Sequence, residues 1–134
     1  IRDKKVLIVD DSIVRGNTSR EIVRMLKDFG AKEVYFAVAC PPVKSPCFYG
    51  VDMPTKSELI AGNMNEDEIG KYLEVDALLY QNIDDLVEAV TRKGDHHIDT
   101  PCMACLDGNY VVNDIDEAKI AEMETMRVND RNGK

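Results

Sequence analysis

Two adjacent carboxylates, Asp10 and Asp11, close the apolar run Val6-Leu7-Ile8-Val9 and open a small polar loop, Ser12-Ile13-Val14-Arg15-Gly16-Asn17-Thr18. Paired acids accept hydrogen bonds from hydroxyls or hold a divalent cation. A loop that feeds a helix N-terminus offers unpaired backbone N–H groups and a favourable dipole to an anion. Thr18-Ser19-Arg20-Glu21 has the Ser/Thr-x-x-Glu form that starts a helix. Phosphate on one side, with diol and metal on the other, describes a phosphorylated ribose. The plainer reading, an acidic pair that ends a strand and solvates a turn, leaves the Gly16-Asn17-Thr18 loop and the capped helix after it unexplained.

Sulfur is the second chemical signal. Cys102-x-x-Cys105 has the spacing by which two thiolates chelate one metal centre, and Cys47 lies in similar loop-like sequence. A reduced surface pair or a redox disulfide would use the same spacing. Cys40 sits in an apolar run and reads as a buried small hydrophobe. His96 and His97, beside Asp95 in a polar stretch, read as solvated side chains.

These groups need a scaffold, and the periodicity supplies one. Val6–Val9 suits a fully buried strand. Residues 18–29 carry Ile22, Val23, Leu26 and Phe29 on one helical face, with Gly30 as the stop. A second buried strand spans 34–40 and ends at Pro41-Pro42. After a loop to about 54 come a short helix from Thr55, a helix over 65–73, a strand over 77–81 and a helix capped at Asn82. Strands alternating with helices predict an α/β fold with a mainly parallel sheet. Residues 113–134 are charged and apolar-poor, which suggests one exposed helix from Asp116 to Met126 and a disordered end.

Composition limits the partners. A formal charge of −8 argues against non-specific nucleic-acid binding and against an anionic membrane surface. No apolar stretch approaches the ~18 residues of a membrane span, and no signal peptide precedes Val6, so a cytoplasmic location is expected. The chain opens on Ile1-Arg2-Asp3-Lys4-Lys5 and enters its first strand almost at once, as a fragment would.

The opening stretch is similar to the phosphoribosyl-pyrophosphate (PRPP) motif of type I phosphoribosyltransferases. In the form VLIVDDSIVRG followed by Thr18-Ser19-Arg20-Glu21 it resembles the amidophosphoribosyltransferase family in particular. The likeness continues through Pro41-Pro42, Pro46-Cys47-Phe48-Tyr49-Gly50-Val51-Asp52, Glu58-Leu59-Ile60-Ala61, Cys102-Met103-Ala104-Cys105 and Gly108-Asn109-Tyr110, and so covers roughly residues 4–112. Asn17 stands where that family commonly has Thr. Receiver domains also open on VLIVDDS, but Val43–Gly50 does not form the strand they require, and Asp52 reads as a loop residue.

The resemblance implies a type I phosphoribosyltransferase-like sheet over residues 1–112, followed by the charged tail. It implies transfer of the phosphoribosyl group of PRPP to glutamine-derived ammonia, giving 5-phosphoribosylamine and pyrophosphate, in the first step of purine synthesis. Asp10 and Asp11 would then serve the ribose hydroxyls and Mg2+ as the catalytic pair, and Ser12, Ile13, Val14, Arg15, Gly16, Asn17 and Thr18 would cradle the 5′-phosphate. Cys47, Cys102 and Cys105 would be three ligands of a 4Fe-4S cluster whose fourth lies upstream. Without that ligand the C-terminal segment is expected to be loosely held. An upstream glutaminase domain and a homo-oligomeric state are also implied. The alternative is a PRPP-sensing regulatory module that binds without chemistry.

Overall fold

The computed structural model describes residues 1–91, 100–112 and 115–132. His96 and His97 lie outside the described residues. In chain order the elements are β1 (Lys5–Asp10), α1 (Asn17–Asp28), β2 (Glu33–Val38), a 3-10 turn (Lys56–Glu58), α2 (Ile60–Asn63), α3 (Glu66–Leu73), β3 (Ala77–Tyr80), α4 (Ile83–Thr91), α5 (Ala104–Asp107) and α6 (Glu117–Asn132). The strands form one parallel sheet in the order β1-β2-β3, with Asp10, Val38 and Tyr80 in register at their carboxyl ends. Parallel neighbours need long crossovers, which the helical segments between the strands provide. The α/β architecture expected from the alternation is present.

Alternate strand residues face opposite sides of a sheet. Ile8, Phe36 and Leu78 are in register on one face, where they pack with Val23 from α1 and Ile69 and Leu73 from α3. Phe36, Val23, Ile69 and Leu73 are fully buried, and each contributes roughly 1.5–3 kcal/mol through removal of apolar surface from water. The opposite face is different. Leu7, Val9 and Leu79 are 60%, 71% and 54% exposed. β1 is therefore half-buried, against the expectation of a fully buried strand, because α1 and α3 pack on only one side of it.

The ends of α1 also depart from expectation. The helix starts at Asn17, with Gly16 as N-cap at φ 77° and no side-chain cap, so the Thr18–Glu21 capping box does not form. A left-handed residue at 16, a conformation natural to glycine, turns the chain into the helix before Thr18 is reached. At the other end Gly30 N–H bonds Lys27 C=O and Ala31 N–H bonds Leu26 C=O, the paired closure of a Schellman motif. Phe29 lies beyond the last turn and is 64% exposed, not on the buried face.

β2 ends at Val38 and β3 at Tyr80, one or two residues short of the expected limits. Cys40 consequently lies after the strand and is half-buried. It joins a second, smaller core of Val43, Leu59 and Leu106, flanked by Val14, Met53, Ile83, Leu86, Met103 and Cys105. α3 begins with a complete capping box between Asn65 and Glu68, and Asn82 receives the Asp84 N–H before α4. Val90 of α4 is 43% exposed.

α6 meets the 47–56 stretch through hydrogen bonds of its own side chains. α6 runs to Asn132, six residues past Met126. Its Glu124 carboxylate accepts the Lys56 N–H, and its Arg127 donates to Cys47 C=O at 2.9 Å while lying over the Phe48 ring. Among the described residues no helix is long and apolar enough to cross a membrane.

Candidate functional site

The loop between β1 and α1 is pinned at three successive points. Ile13 is 1% exposed inside the main core, Val14 packs on the second core, and the Val14 carbonyl accepts Ile60 N–H at 2.9 Å. Gly16 then turns under Ile60 and Tyr72, whose nearest atoms lie 2.7 and 3.3 Å from where a Cβ would stand. Glycine is required twice over, for the positive φ and for the space.

A cavity of about 410 Å³ opens over this loop, lined by Asp10, Ser12, Val14, Arg15, Gly16, Asn17, Thr18 and Ser19. The first hydrogen bond of α1 runs from Arg20 N–H to Gly16 C=O. The N–H groups of Asn17, Thr18 and Ser19 therefore precede the helical ladder, and no side chain caps them. Such an end attracts an anion. Across the cavity Asp10 holds the Asp11 N–H through Oδ1 at 3.0 Å, and Asp11 accepts the Ser12 hydroxyl at 2.8 Å. Carboxylates thus stand at the strand end and unpaired N–H groups at the helix start, where ligands of open α/β sheets bind.

Of the nine loop residues singled out from the sequence, seven line the cavity. Ile13 turns into the core, so only its backbone can serve a ligand. Asp11 is exposed beside the cavity and outside its lining. Ser19 lines the cavity and is 5% exposed. The sequence reading missed it because the Thr18–Glu21 pattern was spent on helix initiation. Arg15 is turned toward Glu58, with 3.0 Å between guanidinium and carboxylate.

Two of the cysteines, Cys40 and Cys105, pack against the second core. Cys105 C=O accepts the N–H groups of Lys44 and Ser45 at 2.9 and 3.0 Å, and the Tyr110 hydroxyl donates to Pro46 C=O at 2.8 Å, so the 43–50 loop and the 102–110 segment are joined by hydrogen bonds. Burial raises the Cys105 thiol above its ordinary value, and the proximity of Cys40, Cys47 and Cys102 adds to the rise. Cys40 is raised as well, by burial and then by the Asp11 carboxylate. Cys47 Sγ accepts the Tyr49 N–H at 3.4 Å. Among the described residues no three His, Cys, Asp or Glu side chains are placed to hold a single metal ion. All four thiols are free.

The sequence profile of the phosphoribosyl transferase domain matches residues 1–54, a span containing β1, the loop and α1. An amidophosphoribosyltransferase from Methanocaldococcus jannaschii is 50% identical over 110 residues, 82% of this chain and 22% of that protein. The Escherichia coli amidophosphoribosyltransferase is 42% identical over 129 residues, 96% of this chain and 25% of its own length. The chain belongs to the amidophosphoribosyltransferase family. It spans about a quarter of the length of these curated relatives. The fold agrees: the solved structure of an allosteric regulatory enzyme of purine biosynthesis superposes with a TM-score of 0.78 at 39% identity, covering 92% of this chain and 27% of that one. Glutamine PRPP amidotransferase from B. subtilis, solved with ADP and GMP, gives 0.73 at 39% identity over 89% of this chain and 27% of its own. The strand-loop-helix cavity lies within the part of the chain that the domain profile covers.

Proposed function

We propose that this chain supplies the PRPP-binding site of an amidophosphoribosyltransferase, in which ammonia displaces pyrophosphate from the anomeric carbon of PRPP to give 5-phosphoribosylamine. The observation that carries the reading is the uncapped start of α1, opening on a cavity whose far wall holds Asp10. The N–H groups of Asn17, Thr18 and Ser19, with the Ser12 and Thr18 hydroxyls, bind the 5′-phosphate without needing a free cation. That suits a chain of net charge −8.

Asp10 and Asp11 accept hydrogen bonds from the ribose hydroxyls. As the bond to pyrophosphate breaks, positive charge develops on the ring, and the fixed carboxylates lower the barrier by stabilising it. Mg2+ fits here because it is commonly held by one or two carboxylates plus substrate phosphates, and when bound it neutralises charge on the departing pyrophosphate. The exchange needs no covalent nucleophile from this chain.

Cys47, Cys102 and Cys105 are assigned to a structural 4Fe-4S cluster completed by a thiolate from elsewhere in the polypeptide. Soft thiolates are the donors such clusters use, and Cys47 and Cys102 both lie near enough to Cys105 to influence its thiol, as Cys40 does. The ammonia comes from glutamine through a glutaminase domain, the assembly is a homo-oligomer, and the free thiols suit the reducing cytoplasm.

The test pairs Asp10→Asn with Asp11→Asn in the polypeptide that carries the glutaminase activity. Calorimetry is expected to lose Mg2+-dependent PRPP binding, and phosphoribosylamine formation from free ammonia is expected to vanish while glutamine hydrolysis partly survives. Unchanged ammonia-dependent turnover would refute the assignment.

A further inference from the structure

We propose that Tyr72 is a positioning residue for the phosphate loop, holding the Asn17 carboxamide so that its amino group, not its oxygen, faces the bound phosphate. The inference rests on the phosphate reading of the cavity given above.

Three observations carry it. The Tyr72 hydroxyl donates to Asn17 Oδ1 at 3.1 Å across 55 residues of sequence. Asn17 lines the cavity and Tyr72 does not, so the planar amide turns its oxygen toward α3 and leaves Nδ2, for which no partner is found among the described residues, on the other side. The Tyr72 ring is itself fixed: it lies against Gly16, the Arg20 guanidinium sits 4.6 Å from its centroid, and Arg20 is held by Glu74 at 3.2 Å. Its helix is anchored by the buried Ile69 and Leu73.

An ionised phosphate oxygen only accepts hydrogen bonds, so an amide presented nitrogen-first attracts it and one presented oxygen-first repels it. A side-chain amide is nearly symmetrical in shape, and packing alone chooses poorly between the two orientations. The Tyr72 hydroxyl can also accept, but in the observed arrangement it donates, and that donation sets the polarity of Asn17.

The experiment titrates ribose 5-phosphate, and separately PRPP with Mg2+, into the chain by calorimetry. It compares wild type, Tyr72→Phe, Asn17→Thr and the double variant, with circular dichroism melts confirming that each folds. Tyr72→Phe keeps the ring and removes only the hydroxyl. It is expected to weaken ribose 5-phosphate binding by roughly five- to tenfold beside Asn17, the scale of one net hydrogen bond. Beside Asn17→Thr, whose hydroxyl rotates to suit the ligand, the same change should cost less than about twofold. Equal losses in both backgrounds would mean that Tyr72 only supports the loop structurally, and no loss beside Asn17 would mean that the hydroxyl sets nothing; either overturns the inference alone. A wild-type chain that bound neither ligand would remove the phosphate reading and this inference with it.

Discussion

Arg15 and Glu58, 43 residues apart, meet through Nε–H and an NH2 group donated to one carboxylate oxygen at 3.2 and 3.0 Å. The second Glu58 oxygen accepts the N–H and hydroxyl of Thr55, both at 2.9 Å. The side chain most expected to greet a phosphate is thus engaged in tying the loop to the 3-10 turn.

Glu58 makes this tie sensitive to acid. The Thr55 N–H above all, then the Thr55 hydroxyl and Arg15, hold its carboxyl down to about 2 against the opposing effect of burial. A depressed carboxylate lends stability that is complete above its ordinary value of 4.5 and is lost as the pH falls toward 2. Because the side chain is 36% exposed, the effect is modest. Melting of wild type and Glu58→Gln should differ at pH 6 and converge near pH 2; parallel curves throughout would show that the carboxylate contributes nothing.

Gly16→Ala should lower both stability and ligand affinity. The left-handed backbone at φ 77° costs a non-glycine residue roughly 1–2 kcal/mol, and the new Cβ would press on Ile60 Cδ1. Thermal denaturation and PRPP calorimetry check the two losses separately. Normal binding by a folded variant would move the cradle elsewhere.

The two faces of the sheet predict opposite responses. Phe36→Ala, at a side chain with 0% exposure, should cost about 3–5 kcal/mol. Leu79→Gln, at 54% exposure, should stay within about 0.5 kcal/mol of wild type in this chain. Urea denaturation of both variants measures the contrast, which would collapse if the exposed face were buried by association.

For the thiols, anaerobic purification of the whole polypeptide should yield iron and inorganic sulfide that are lost on Cys47→Ser, Cys102→Ser or Cys105→Ser and retained on Cys40→Ser. Visible absorption and metal analysis read the result. Zinc in place of iron would change the metal but keep the ligands, and three readily alkylated thiols without metal would end the assignment.

The cavity was legible because most of its lining is local: a strand end, an acid, a glycine turn and a helix start close together in the chain. What escaped was long-range or conformational. Nothing in the spacing indicates that Arg15 turns to Glu58 or that Tyr72 reaches Asn17, since both partners come from the segment after β2. The helix start at Asn17 instead of Thr18 depended on one positive φ. Ser19 was hidden behind a capping pattern. The half-exposure of β1 escaped because composition registers apolarity but not which neighbours arrive to cover it. The reach of α6 depended on distant partners, with Arg127 finding the Cys47 and Met53 carbonyls and Glu124 the Lys56 N–H.

Ile13 and Val14 are consecutive, yet one is sunk in the main core and the other packs against the second. The loop that frames the cavity is therefore also the staple between the two cores, and neither can loosen without deforming it. Occupancy and melting must then be thermodynamically linked: a ligand at a hundred times its Kd should raise the unfolding free energy of both cores together by about 2.7 kcal/mol. The melting temperature of the chain thus becomes a direct gauge of what the loop recognises, available before any turnover is measured.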